Sequence, residues 1–213
     1  MQIRYSLYIL FTLLVGQWSL AQTQPPTSGG VYQISTYNHL LWIQNNSASW
    51  SASMVLTQDI DMSAIRNVDD SDAGTNDGWI PLGNSSTEFT GSFDGRGYTL
   101  TGLWIQRTSI QNVGFFGVIN GAEIKNITFR DAVVKNESTS WNADTGGVIG
   151  DIDDGTNTVL NLNYYGDVFT SQGDVGGVIG QSQASNQVIS YCTYSVTVSN
   201  TGSRVTFGII CRF

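Results

Sequence analysis

Hydrophobic and polar positions along the 213-residue chain fall into two regimes. In the first, "VYQISTYNHLLWIQNN" (31–46) begins with Tyr32 and Ile34 alternating with polar residues, which predicts a strand, and continues with Leu40, Leu41 and Ile43 at helical spacing. "MVLTQDIDMS" (54–63) predicts a further strand with Val55, Ile60 and Met62 inward. An irregular acidic loop, "RNVDDSDAGTNDG", separates it from "WIPLG" at Trp79–Gly83. From Phe89 onward the pattern becomes periodic. "GFFG" (Gly114–Gly117), "GVIG" (Gly147–Gly150), "GVIG" (Gly177–Gly180) and "GIIC" (Gly208–Cys211) recur at intervals of 33, 30 and 31 residues. Alternating apolar pairs follow: Ile127 and Phe129, Leu162 and Tyr164, Cys192 and Tyr194.

A unit of about 30 residues with two or three short strands cannot close a core by itself, whereas stacked units can. The expected fold is all-β, a right-handed parallel β-solenoid (β-helix) with coils of about 30 residues, its first edge capped by a short helix within Tyr37–Asn46. A β-sandwich would leave the constant spacing of the glycine motif without a cause. In this reading Gly114, Gly117, Gly147, Gly150, Gly177, Gly180 and Gly208 are structural. No Lys-Ser or Lys-Thr follows "DTGGVIGD" to meet a phosphate, and no predicted helix starts there. Asp144 and Asp174 precede equivalent glycine pairs and should stack on successive coils.

Composition adds to this picture. Twenty-four glycines against 12% charged residues suit a turn-rich β-protein. Residues 1–21, with Arg4 ahead of "YSLYILFTLLVGQWSL" and small residues before Gln22, read as a cleaved signal peptide, leaving no membrane span. Residues 22–30 read as a linker, 31–88 as the cap and first coils, and 89–213 as the repeat solenoid. The net charge of −8, or −9 once Arg4 is removed, argues against nucleic acid as a partner, because phosphates demand a basic face.

"FTGSFDGRGYTLTGLWI" (89–105) followed by "NVGFFGVINGAEIKNITF" resembles the opening segment and first repeat of GLUG-motif proteins, and the upstream "VYQISTYNHLLWI", "LTQDIDMS" and "GWIPLG" are similar to what precedes such repeats. The resemblance implies a bacterial, secreted or cell-surface, adhesin-like protein. It also extends to repeats that accompany the catalytic domain of immunoglobulin-A-cleaving metallopeptidases. That activity does not transfer, since His39 is the sole histidine and no HExxH motif exists. Family members usually continue into further repeats or a sorting domain, whereas this sequence stops two residues after the fourth motif. The expectation is a truncated product whose uncapped C-terminal edge invites association.

Candidate chemistry is sparse. His39 falls in the predicted helix, where an ordinary surface or capping role is expected rather than catalysis. Cys192 occupies the column of Leu162 as a small buried hydrophobe, and export leaves a Cys192–Cys211 disulfide open. Asp70, Asp72 and Asn76 have a rhythm loosely like a calcium loop but lack its terminal Glu, so calcium is the one cofactor considered. "DIDD" (151–154) is a second acidic loop. A carbohydrate-active enzyme on the β-helix, a polysaccharide lyase or hydrolase, would need several of Asp94, Asp131, Asp151, Asp153 and Asp154 to converge. The preferred expectation is noncatalytic: an adhesion scaffold or spacer presenting loops and aromatics such as Trp79, Trp104 and Trp141 to a glycan or protein. Trp79 and Trp104 are expected to serve the core first.

Overall fold

The computed structural model describes residues 22–70, 72 and 76–201. The signal-peptide reading and the positions of Gly208 and Cys211 lie outside the described residues. Within them the chain is a parallel β-solenoid with one α-helix, Tyr37–Gln44. One broad sheet gathers Val31–Ile34, Ser53–Leu56, Ser92–Asp94, Glu123–Asn136, Asn157–Thr170 and Gln187–Ser190, each parallel to the next. The periodic glycine segments build a second, three-stranded sheet in which Ile149 pairs with Phe116 on one side and Ile179 on the other. A short parallel pair, Thr145–Gly146 with Val175–Gly176, lies just ahead of it in each coil.

Alternation along the strands places equivalent residues one above another. Ile127 and Leu162 form one buried column, which Cys192 continues at 1% exposure. Phe129 and Tyr164 form the next, and Val134 and Val168 a third. Each coil thereby buries its apolar row against its neighbours. An aromatic cluster fills the middle of the stack: Phe115 lies edge-on to Phe93 and Phe116, and Trp79 stacks flat on Phe115 at 4.8 Å. The region expected as one strand from Met54 to Ser63 is two, Ser53–Leu56 and Ile60–Asp61, because the chain turns a corner between them. Val55, Ile60 and Met62 are all buried as expected.

The helix closes the interior of the first coil. Thr36 caps it, its hydroxyl accepting from the His39 N–H at 3.2 Å, while Leu40, Leu41 and Ile43 enter the core. Trp50 on the next coil donates its indole N–H to the Ile43 carbonyl at 2.9 Å. His39 is buried, and its Nδ1 accepts from the Ser35 N–H at 3.2 Å, so it fastens the turn that leads into the helix. Within the stretch read as linker, Thr27–Ser28 forms a two-residue strand antiparallel to Val31–Tyr32.

One corner of the solenoid is held by a polar ladder. Asn126 and Asn161 occupy the same place on successive coils, both with left-handed backbone (φ 57° and 52°). Asn161 donates to the Asn126 side-chain oxygen at 3.1 Å, and Asn126 donates to Asp94 at 3.0 Å. Asparagine tolerates this backbone better than other residues with a Cβ. On the following coil the same corner is Tyr191, at φ 55° and 70% exposed. Tyr191→Asn is therefore expected to stabilise the protein by about 1 kcal/mol, relieving strain and extending the ladder without loss of packing. Thermal unfolding should show a rise of a few degrees, and a fall would mean that the ring has packing partners of its own.

Candidate binding groove

The eight-residue stretches "DTGGVIGD" and "DVGGVIGQ" bracket the site. Pairing of Thr145 with Val113 and Val175 puts Asn112, Asp144 and Asp174 in one column, and pairing of Asp151 with Val118 and Gln181 makes a second. The glycine segment runs between these columns, and its small residues let the coils approach closely. A Cβ on Gly150 would lie 2.6 Å from the Val113 nitrogen, and one on Gly180 would lie 2.6 Å from the Gly150 carbonyl oxygen. None of the six described motif glycines has a left-handed φ, so their role is steric rather than conformational.

Between the columns lies an open hollow of about 410 Å³. Its lining is carboxylates and carboxamides throughout, from three successive coils: Gln111 and Asn112 on the first, Asn142 with the floor carboxylates Asp144 and Asp151 on the second, and Gln181 and Gln183 on the third. Gln111 and Asn112 also line a neighbouring hollow of about 330 Å³ with Asn84, Ser85, Ser86 and Ser109. The two hollows share Gln111 and Asn112, and the groove they outline draws on several coils and is chiefly polar, with Ile110 and Val118 as its apolar members. Trp141, 62% exposed, immediately precedes the lining residue Asn142.

The floor carboxylates are almost wholly covered, Asp144 at 4% and Asp151 at 6% exposure. Asp144 accepts from the Asp174 N–H at 3.1 Å, while Asp174 takes a hydrogen bond from the Gln181 side-chain amide at 3.0 Å. Asp151 Oδ1 is buried without a hydrogen-bond partner. Burial raises the Asp144 carboxyl to about 6, with a smaller contribution from Asp174. Burial also raises Asp151, to about 7, reinforced by Asp144 and Asp153.

Both groups bind protons more tightly in the folded chain than near 3.8, their ordinary value. Their contribution is complete below about pH 4 and is lost as pH rises through 6 to 7. In chelator, thermal stability should therefore fall between pH 5 and pH 8, on the order of 3 kcal/mol for the pair. Asp144→Asn/Asp151→Asn should flatten the profile. Asp61 and Glu137 are shifted downward by hydrogen bonds and titrate below this window, whereas Glu88, raised by burial, adds to the fall and His39, lowered by burial, opposes it.

The other candidates lie elsewhere. Asp70 is engaged by both carboxylate oxygens with Arg107 Nη1, at 2.6 and 2.7 Å. Asp72 accepts from the backbone of Thr108 at 2.8 Å. Asn76 has a left-handed φ of 61°, and its main-chain carbonyl accepts from the Trp104 indole at 2.7 Å. These residues tie the acidic loop to the strand Trp104–Arg107. Trp79 is fully buried and donates to the Phe115 carbonyl. Asp94 belongs to the Asn126 ladder, with its Oδ1 also accepting from the Arg96 N–H, and Asp131 sits at a bend with φ 50°. Of the five carboxylates considered for catalysis, Asp151 lines the groove, and Asp153 and Asp154 follow it in the next turn.

Gln111, Asn112, Asn142, Gln181 and Gln183 went unnoticed in the sequence. A signal existed for Gln181: it holds in "DVGGVIGQ" the place of Asp151 in "DTGGVIGD".

No family model matches the chain, and no solved structure matches it. Over 172 residues it is 33% identical to Halomucin of Haloquadratum walsbyi, covering 79% of this chain and 2% of that protein. Over 93 residues it is 37% identical to a protein of Evansella cellulosilytica named as a Gly-rich membrane protein, covering 44% of this chain and 10% of the other. The chain thus spans only a small part of the length of the relatives it matches. Among the described residues no helix is long and apolar enough to cross a membrane.

Proposed function

We propose that this β-solenoid is a noncatalytic, GLUG-type repeat segment of a secreted or cell-surface protein, and that it works as an adhesion scaffold binding glycan or protein along its polar groove. The observation that carries this reading is the groove itself: side-chain amides, which both donate and accept, repeated across stacked coils, with the exposed Trp141 next in sequence to the lining residue Asn142. Sugars are recognised by such groups, with an aromatic face as platform. The names of the two relatives, a halomucin and a membrane protein, support a location at the cell surface. That Asp94 and Asp131 do not line the hollow with Asp151 supports a noncatalytic role, as does the single histidine.

Arrays of glycans and surface proteins probed with the purified chain test the proposal. Binding weakened about tenfold or more by Trp141→Ala or Asn142→Ala supports the groove, since a hot-spot aromatic or a bidentate amide is worth on the order of 2 kcal/mol. Binding to nothing on the arrays would reduce the role to a spacer. Release of sugar ends from a polysaccharide, abolished by Asp151→Asn, would replace the scaffold with a carbohydrate-active enzyme.

A further inference from the structure

We propose that Asp144 and Asp151, together with side-chain carbonyl oxygens of Asn112, Asn142 and Gln183 on the groove walls, form a site for one hard divalent cation of the calcium class. The proposal does not depend on the adhesion reading, because it concerns what neutralises the groove floor rather than what the groove recognises.

The starting point is an imbalance of charge. Two nearly buried carboxylates face one hollow, and none of the hollow's lining residues is basic. The ion pairs of the described residues, Arg107–Asp70, Lys125–Glu123 and Lys135–Glu137, involve neither. The groups that act on them electrostatically, Asp174, Asp153 and Glu88, are acidic as well. Buried carboxylates are normally paired, hydrogen-bonded or bound to metal. Asp144 has a backbone N–H on one oxygen, and the Asp151 carboxylate has the Ile152 N–H, while its Oδ1 is buried with no protein partner. Such an oxygen favours a proton, a water or a cation as its partner.

The donor set selects the kind of cation. Among the described residues no three histidine, cysteine or acidic side chains gather as a metal-binding group, which leaves two carboxylates and neutral amide oxygens. Zinc and other transition metals favour nitrogen and sulfur donors, whereas calcium accepts carboxylate, amide and water oxygens in flexible number. Two carboxylates match the charge of one divalent ion. The rest of the coordination would come from the amides and from water in the open hollow. Few charged ligands place such a site in the weak, extracellular range of affinity, roughly 0.1 to 1 mM.

Thermal unfolding of the full chain at pH 8 tests this, with excess chelator compared with millimolar calcium chloride at matched ionic strength. Calcium is expected to raise the midpoint on the order of 5 °C. The rise should shrink at pH 5, where protons occupy the same carboxylates. Asp144→Asn/Asp151→Asn should abolish it, and asparagine resembles the neutral acid closely enough for the chain to fold. Asp151→Asn alone, followed by calcium titration calorimetry, covers the case in which the double variant is unstable: wild type should bind one calcium and the variant at least tenfold more weakly. Asp72→Asn, in the separate acidic loop, should keep the full response. Absence of any calcium effect on the wild type overturns the proposal. So does a response that survives the double variant or disappears in Asp72→Asn.

Discussion

Gly147→Ala is expected to lower the stability of the solenoid by about 3 kcal/mol or more, a midpoint shift on the order of 10 °C. A Cβ there would lie 2.4 Å from the Gly177 carbonyl oxygen and 2.7 Å from two ring atoms of Tyr164. The first neighbour is the backbone of the adjacent coil, and the second is a fully buried ring. Neither can retreat without separating coils whose hydrogen bonds define the fold. Gly97→Ala is the control. Gly97 has a left-handed φ of 84°, and an added Cβ would meet nothing within 4 Å, so only backbone strain opposes alanine, at about 1 kcal/mol. Thermal or urea unfolding of both variants should rank them in this order. Equal losses would mean that the motif glycines matter for chain conformation rather than for coil spacing.

Asp70→Ala should cost about 3 kcal/mol or more, although Asp70 is itself one-third exposed. The loss arises at the partner. Arg107 is fully buried, and without Asp70 its guanidinium keeps the Gly78 carbonyl at 3.0 Å as its remaining acceptor, with Nε already unpaired. An uncompensated buried charge is far more costly than the pair is favourable. Adding Arg107→Met should therefore restore much of the loss, since the double variant no longer strands the buried guanidinium. Circular dichroism melts of the two single variants and the double variant give the cycle. If the double variant melts no higher than Asp70→Ala, the loss lies in the loop's packing and not in the stranded charge.

Much of the architecture was legible because it follows from one-dimensional facts. Motif spacing near 30 residues fixes the coil length, and pairs such as Leu162 and Tyr164 fix which face of each strand turns inward. The stacking of Asp144 over Asp174 followed from the same spacing and is realised in their hydrogen bond. The groove was not legible in the same way. Asn112 and Gln181 look like ordinary turn and surface residues until parallel pairing brings residues of three coils around one hollow. Composition drew attention to the acidic run at Asp69–Asp77, whose charge is most visible in the sequence. There a buried arginine 37 residues away engages Asp70, a long-range partner that local rhythm does not disclose.

The small antiparallel turn at Thr27–Ser28 gives the stack a polarity. The other coils present parallel strands to their neighbours, but here the chain doubles back and the Pro26 carbonyl takes the Gln33 N–H at 2.8 Å. Pro26, having no N–H and with its carbonyl already taken by Gln33, offers an incoming strand no donor. A second solenoid cannot dock in register on this face without first peeling the turn away. The edge of the broad sheet at this end is thereby covered by the chain's own turn.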